Sequence, residues 1–438
     1  MGKISLPLLF CQLFLAFVTS VSEAQITLVK DLYPDGSLSQ IGNVTIIDEA
    51  LYFNTAGYGL NSNNALIRTD GSTSGTQILE NYHITSMAQF ADALYYDDYS
   101  VKLLNSSGTP FNSNLTVSFD SVYITSDLLV AGDKLYFSLH DGMNSFIISY
   151  DESETVETYD VSNYYSHLYA AGDAIYFRAE KDLEYYACKI ENGSIDMISK
   201  IEDYEFIYEF DFYGKIGSQV YFFPSISNNT SNYDFHTEIW QLGSGGPTTI
   251  ASLPDNLAAT GFTNVGTQLY FIAYDYNDYE AEPKLWKTDG TAAGTQEVDS
   301  GVETFESLFA GSTHLYYKKT NGELWSVNSG TNNKSLVASD IIEGDLVVQN
   351  DEVYFFKNGS SGPELWKSDG SASGTWLLAE GDILSTDPDE ITLMGFIKDR
   401  LIFRAHSDEY GYELFKYELN YQCGAEHVVA FTPGEKTK

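Results

Sequence analysis

Apolar and polar positions along the chain repeat as a phrase. A short apolar run leads into a Gly, Asp or Asn pair and then into Leu-Tyr-Phe or a close relative. Copies stand at Leu51-Tyr52-Phe53, Leu94-Tyr95-Tyr96, Leu135-Tyr136-Phe137, Ile175-Tyr176-Phe177, Val220-Tyr221-Phe222, Leu269-Tyr270-Phe271, Leu315-Tyr316-Tyr317, Val353-Tyr354-Phe355 and Leu401-Ile402-Phe403. Their middle residues are spaced from 38 residues (316 to 354) to 49 residues (221 to 270). Aromatic and β-branched runs bounded by turn formers predict strands. In the unit around Phe271 the pattern predicts four: Gly261 to Val265, Gln268 to Ala273, Lys284 to Thr288 and Thr295 to Val298. A lone four-stranded unit cannot hide its apolar face from water, so neighbouring units must stack. A period in the forties with four strands per unit predicts an all-β chain, a single β-propeller of eight to nine four-stranded antiparallel blades over residues 25–420.

A second phrase follows the first, as PELWKSDGSASGTW from Pro363 to Trp376 and PKLWKTDGTAAGT from Pro283 to Thr295. Leu-Trp supplies strand, and Asp-Gly with neighbouring Ser or Thr supplies a turn that reaches positive φ cheaply. Asp70, Asp289 and Asp369 therefore read as turn formers before metal ligands. Trp240, Trp286, Trp325 and Trp366 hold the same place in four units, which reads as packing before ligand stacking.

The two ends of the repeat array bear on closure. Ile26 to Leu32 (ITLVKDL) is an outer-strand phrase with no strands before it, while the last unit, ending near Gly411 to Leu419, has a third strand and no clear fourth. The N-terminal strand is expected to complete the last blade and close the ring, with Val428 to Phe431 as its rival.

Composition adds a compartment. Met1 to Ala24 has Lys3, an apolar stretch from Leu6 to Val18, and Ser22-Glu23-Ala24, which together predict a signal peptide cleaved before Gln25. Cys11 follows the bulky Leu9-Phe10, which argues against a lipoprotein site. No other apolar run approaches the ~18 residues of a membrane span. The expected product is extracellular or on the cell surface, monomeric, with residues 421–438 as a C-terminal tail. A net charge of −39 repels phosphate, arguing against nucleic acid and anionic membranes while permitting cations and basic partners. Cys188 and Cys423 remain after processing, in a compartment where disulfides persist; the sequence leaves their pairing open.

Candidate chemistry gathers in the connections between second and third strands, which vary in length: Ser225 to Thr237, Tyr274 to Pro283 and His406 to Tyr412. In a propeller these share a rim, where variable loops on a rigid scaffold carry binding. Asp275, Asn277, Asp278 and Glu280 form the best oxygen-ligand set, suited to Ca²⁺. A Ca²⁺ loop wants a ligand and a Gly where Tyr279 and Glu280 stand, so a solvated acidic loop is the plainer reading. Tyr276, Tyr279, Tyr410 and Tyr412 offer stacking faces to a sugar or peptide. There is no Gly-x-Ser-x-Gly, no His-Glu-x-x-His and no cysteine with a local His, so no catalytic residue is assigned. Ser368-Asp369-Gly370 through Trp376 approaches the Asp-box of sialidase-type propellers in the wrong register. Asn-x-Ser/Thr triplets at Asn43, Asn114, Asn192 and Asn358 mean glycans only in a host that adds them.

On these phrases the chain resembles the ELW-x-x-DGT-x-x-GT-repeat proteins, secreted bacterial β-propellers of Bacteroidota and myxobacteria. Pro363 to Thr375 and Pro283 to Thr295 are strong copies, Asn64 to Thr76 is a third, and Gly411 to Lys416 is half of one; units two to five depart, Ser145 to Tyr150 lacking both Trp and Asp-Gly. The resemblance implies a secreted or cell-surface propeller, often exported by the type IX system with a C-terminal sorting domain, of which residues 420–438 show no sign. It implies no shared catalytic residues. The expectation is a non-catalytic binding or scaffold module for an extracellular protein or carbohydrate, with no required cofactor and Ca²⁺ as an option. The alternatives are a propeller hydrolase or lyase acting on polysaccharide through rim carboxylates, and a Ca²⁺-dependent adhesin using the Asp275 loop.

Overall fold

Antiparallel sheets follow one another along the chain, nine among the described residues, eight of them built from strands adjacent in sequence. The computed structural model describes residues 25–419 apart from 35–36, 57–63, 82–83, 85, 92, 98–100, 105–109, 112–122, 125–127, 141–143, 154, 162–167, 183, 202–209, 228–234, 244–245, 276, 279, 305–306 and 386–390. The signal segment, Cys423 and Val428 to Phe431 lie outside the described residues. Eight sheets have four strands; the third has a fifth, Tyr123–Ile124, which pairs with Lys134–His140 beyond Leu129–Ala131. Among the described residues no helix is long and apolar enough to cross a membrane.

The sixth sheet shows how sequence becomes strand. Its strands are Leu257–Val265, Gln268–Asp275, Lys284–Thr288 and Gln296–Ser300. The first begins four residues before the expected Gly261, because a register shift between Thr260 and Thr263 lets pairing continue past the glycine at φ 63°. Elsewhere the tight turns between first and second strands use left-handed residues, as at Asn350 (φ 54°) and Asp351 (φ 63°), the geometry of a two-residue hairpin loop.

The nine Leu-Tyr-Phe phrases lie on the second strands, and their alternation explains why nearly every position is apolar. Successive side chains on a strand point to opposite faces, and here both faces are covered. Leu269 and Phe271 of the sixth sheet pack with Tyr221 and Phe223 of the fifth, whereas Tyr270 packs with Leu315 and Tyr317 of the seventh. Tyr316 in turn meets Val353 and Phe355, and Tyr354 meets Leu401 and Phe403. The same rule carries on from the ninth sheet: Ile402 packs with Leu51 and Phe53 of the first, and Tyr52 with Leu94 and Tyr96 of the second. Each fully buried Phe or Leu in these layers is worth about 1.5–3 kcal/mol of transfer free energy.

The first strands keep the same company. Gln40–Ile47 touches Met87–Phe90, which touches Leu129–Ala131, then Tyr169–Ala171, Phe210–Ile216, Leu257–Val265, Leu308–Ala310, Val347–Gln349 and Thr392–Ile397, and the last of these touches Gln40–Ile47. The ninth sheet takes its outer strand from the N-terminal end of the described chain. Ile26–Lys30 pairs antiparallel with Gly411–Glu418, Ile26 opposite Tyr417 and Leu28 opposite Phe415. This is the pairing expected from the missing fourth strand of the last unit.

Candidate functional site

The repeated motifs come first, because their chemistry is the most conspicuous in the sequence. Residues two apart on a strand share a face, and the ELW phrase uses that spacing: the indole N–H of Trp366 donates to Glu364 at 2.9 Å, that of Trp325 to Glu323 at 2.8 Å, and that of Trp240 to Glu238 at 2.5 Å. Each Trp stands opposite the last residue of a Leu-Tyr-Phe phrase, Trp366 against Phe355 and Trp286 against Phe271. In the fourth sheet Cys188 takes that place, opposite Phe177, buried and without a disulfide partner among the described residues. In the PKLW copy Lys284 replaces the Glu and pairs with Glu297 at 3.0 Å, leaving the buried Trp286 indole N–H without a partner. Lys319 and Lys357 lie 4.9 Å over the Trp325 and Trp366 rings. These indoles are packing elements, as their equivalent positions predict.

The Asp-Gly loops form a closed hydrogen-bond circuit, identical in three copies. Asp70 Oδ1 accepts the Ser72 N–H at 2.9 Å and its hydroxyl at 2.6 Å; Ser72 Oγ accepts the Gly75 N–H at 3.0 Å; and the Thr76 hydroxyl donates to the Ser72 carbonyl at 2.6 Å. Asp289 with Thr291, Gly294 and Thr295 repeats it, as does Asp369 with Ser371, Gly374 and Thr375. The second glycine is required, because a Cβ at Gly294 would fall 1.9 Å from Asp289 Oδ1. Two of the loops lean on a sheet other than their own. Gly370 O accepts the Ser326 hydroxyl at 2.6 Å, and Asp70 O accepts from Arg400 Nη1 at 3.3 Å. The aspartates are turn formers.

The loop predicted as a cation site is organised by its own backbone. Asp275 Oδ1 accepts the N–H groups of Asn277 (2.9 Å) and Asp278 (3.1 Å), Asp278 Oδ1 accepts that of Glu280 (3.1 Å), and Asn277 Nδ2 donates to Asn256 Oδ1 (3.1 Å). This is the Asx-turn use of short polar side chains. Asn277, Asp278 and Glu280 are exposed. Among the described residues no three His, Cys, Asp or Glu side chains converge as a metal site would require. Tyr276 and Tyr279 lie outside the described residues.

Tyr410 and Tyr412 flank the tip of the ninth-sheet hairpin, three sheets along the chain from Asp275. The Tyr410 N–H donates to Ser407 Oγ at 3.0 Å, and a hydrogen bond to Glu409 holds its hydroxyl pKa above the ordinary phenol value. The Tyr412 ring has two neighbours, with the Arg404 guanidinium 4.0 Å from its centre and His406 edge-on at 4.9 Å. Tyr412 O accepts the Leu38 N–H at 2.7 Å, and Leu38 O accepts from Arg404 Nε at 3.1 Å. Tyr412 thus fastens the chain entering the first sheet.

One unusual carboxylate was not signalled by sequence patterns. Glu413, the Glu of the half-copy Gly411 to Lys416, is fully buried. Phe415 stands at the indole position, so no indole N–H awaits the carboxylate. It accepts instead the N–H groups of Leu32 at 3.1 Å and Tyr33 at 3.0 Å, just beyond the N-terminal strand. Burial pushes its pKa up to about 7, with the negative charge of Asp31 adding to the effect and the backbone donors opposing it. The departure from Trp at position 415 was the available clue.

No protein-family model and no curated protein matches the chain. Solved structures resemble it at low identity. The computationally designed Ika8 protein is 13% identical with a TM-score of 0.44, over 90% of this chain and 99% of that one. Prolyl oligopeptidase B from Galerina marginata is 11% identical with a TM-score of 0.45, over 84% of this chain and 55% of that one. BamB from Moraxella catarrhalis is 11% identical with a TM-score of 0.40, over 76% of this chain and 96% of that one. This chain therefore spans about half the length of the prolyl oligopeptidase. The architecture is a β-propeller-like, repeated all-β fold.

Proposed function

We propose that the nine sheets are the blades of one closed propeller, a secreted or cell-surface module of the ELW-x-x-DGT-x-x-GT type that binds an extracellular protein or glycan without chemistry. The carrying observation is where the polar side chains of the repeat go. The Glu of each ELW phrase with an indole serves that indole, and each Asp-Gly loop spends its carboxylate and the hydroxyl two residues on within the loop itself, while the Gly370 carbonyl accepts from Ser326 of the seventh sheet. The repeat is thereby a scaffold, and what differs between units is left to the second-to-third-strand loops. Closure is supported by the packing of Ile402 on Leu51 and Phe53 and by the contact of Thr392–Ile397 with Gln40–Ile47. In a closed propeller the loops 225–237, 274–283 and 406–412 line a common rim. Tyr410, and Tyr276 and Tyr279 from the Asp275 loop, are the ligand-contacting side chains of this reading, and Ca²⁺ at the Asp275 loop is an adjunct to it.

The test is binding of the chain from Gln25 onward to a glycan array and to extracellular matrix proteins, with and without chelator. Binding lost in Tyr410→Ala and retained in chelator is the expected result. Release of new reducing ends or unsaturated sugars from a polysaccharide panel would replace this reading with a hydrolase or lyase, and binding abolished by chelator with a Ca²⁺-dependent adhesin.

A further inference from the structure

The segment that joins the N-terminal strand to the first sheet crosses a buried acid. Ile26–Lys30 is an edge strand of the ninth sheet, paired on one side only. Two side-chain contacts tie it to the Asp-Gly loop of the first sheet: Thr73 Oγ1 donates to Val29 O at 2.8 Å and Lys30 Nζ to Thr76 O at 2.7 Å. On the other side of the segment, both oxygens of Glu413 hold the Leu32 and Tyr33 N–H groups.

The surroundings of Glu413 do little to neutralise it. Asp31 and Tyr33 are the titratable groups facing it from the joining segment, and Asp31 itself has a buried oxygen, Oδ1, with no hydrogen-bond partner. Its cross-strand neighbour is Ala405, while Arg404 and His406, flanking it, pair with Leu414 and Tyr412 and engage the Tyr412 ring. Lys30 is turned to Thr76. No cation, therefore, is shown paired with Glu413 among these groups.

We propose that this seam is a proton-dependent latch: with Glu413 neutral the N-terminal strand stays docked on the last sheet, and ionisation of Glu413 loosens it. The direction follows from burial, which outweighs the backbone N–H groups that favour the ionised form. An acid is harder to ionise inside the seam than in an opened one that water can enter, so the opened form gains on the docked form as pH rises. The sense of the shift at Glu413, upward to about 7, agrees and places the change near neutrality.

Amide hydrogen exchange on the full chain tests this, comparing peptides covering 26–33 with peptides covering 392–403 between pH 5 and pH 8.5, after correction for the intrinsic rate. The expected result is a drop in protection of about tenfold or more in 26–33 as pH rises, with 392–403 unchanged. In Glu413→Gln the drop disappears. Should that variant fail to fold, Asp31→Asn decides, since removing the neighbouring charge must shrink the pH span. A flat wild-type profile, a pH span that survives Glu413→Gln, or an unchanged span in Asp31→Asn would each overturn the proposal.

Discussion

Glu364 and Trp366 sit two residues apart on one strand, and the carboxylate of the first accepts the indole N–H of the second at 2.9 Å. The sixth sheet has the same Trp without the Glu, because Lys284 stands there and pairs outward with Glu297. Truncating Glu364 should strand a half-buried indole N–H, at a cost of about 1–2 kcal/mol. Lys284→Ala removes only an exposed ion pair and should stay within about 0.5 kcal/mol. Urea midpoints of the two variants check the contrast, and equal losses would mean that the indole contact is incidental.

The Asp-Gly circuit makes a prediction about coupling. Asp289→Ala removes the acceptor for Thr291, and Gly294→Ala drives a Cβ to 1.9 Å from that same acceptor. Each should destabilise by about 1–2 kcal/mol. Because both act on one side chain, the double variant should lose much less than the sum. Chelator should leave all three melting temperatures where they are.

Asp299 gathers three side chains, accepting from the Tyr317 hydroxyl at 2.6 Å and facing Lys319 at 3.0 Å and Lys334 at 3.2 Å. Burial raises its pKa, but the hydrogen bonds from Tyr317, Lys319, Ser300 N–H and Lys334 outweigh that and hold it below the ordinary carboxylate value. A depressed pKa means that the folded state binds the proton less readily than the unfolded chain. The stabilisation is present above the unfolded value near ~3.9 and is lost as pH falls through the folded one. Asp299→Asn should lower stability at pH 7 by about 2 kcal/mol and flatten the acid limb of the stability curve, as read by denaturant unfolding from pH 7 to pH 2.

Cys188 is 1% exposed, and burial pushes its thiol up to about 12. In a Cys423→Ser background it should resist thiol reagents in the native state and react at once in denaturant. Rapid native labelling would show that the fourth sheet opens far more readily than its packing implies.

The fold was legible because the Leu-Tyr-Phe phrase is apolar on both faces of a strand, a pattern that only stacked sheets satisfy, and because Ile26 to Leu32 lacked companions while the last unit lacked a strand. Strand ends were less so: pairing continues past Gly261 through a register shift that spacing does not reveal. Glu238, Glu323 and Glu364 each precede a Trp by two, a signal present in the sequence, yet in a chain with 62 acidic residues such a coincidence carries little weight until the indole N–H is seen to need a partner. Glu413 was opaque for a different reason. Its partners are backbone N–H groups 381 and 380 residues earlier, and backbone groups have no sequence signature.

That separation also sets an order of events. The strand Ile26–Lys30 is made before the other described strands and its partner Gly411–Glu418 after all of them, so the intervening eight sheets can form while it waits. Contacts this distant in sequence are slow to find. Until that ribbon anneals, the edge strand Gly411–Glu418 has an unpaired side and the ribbon itself is open to proteolysis.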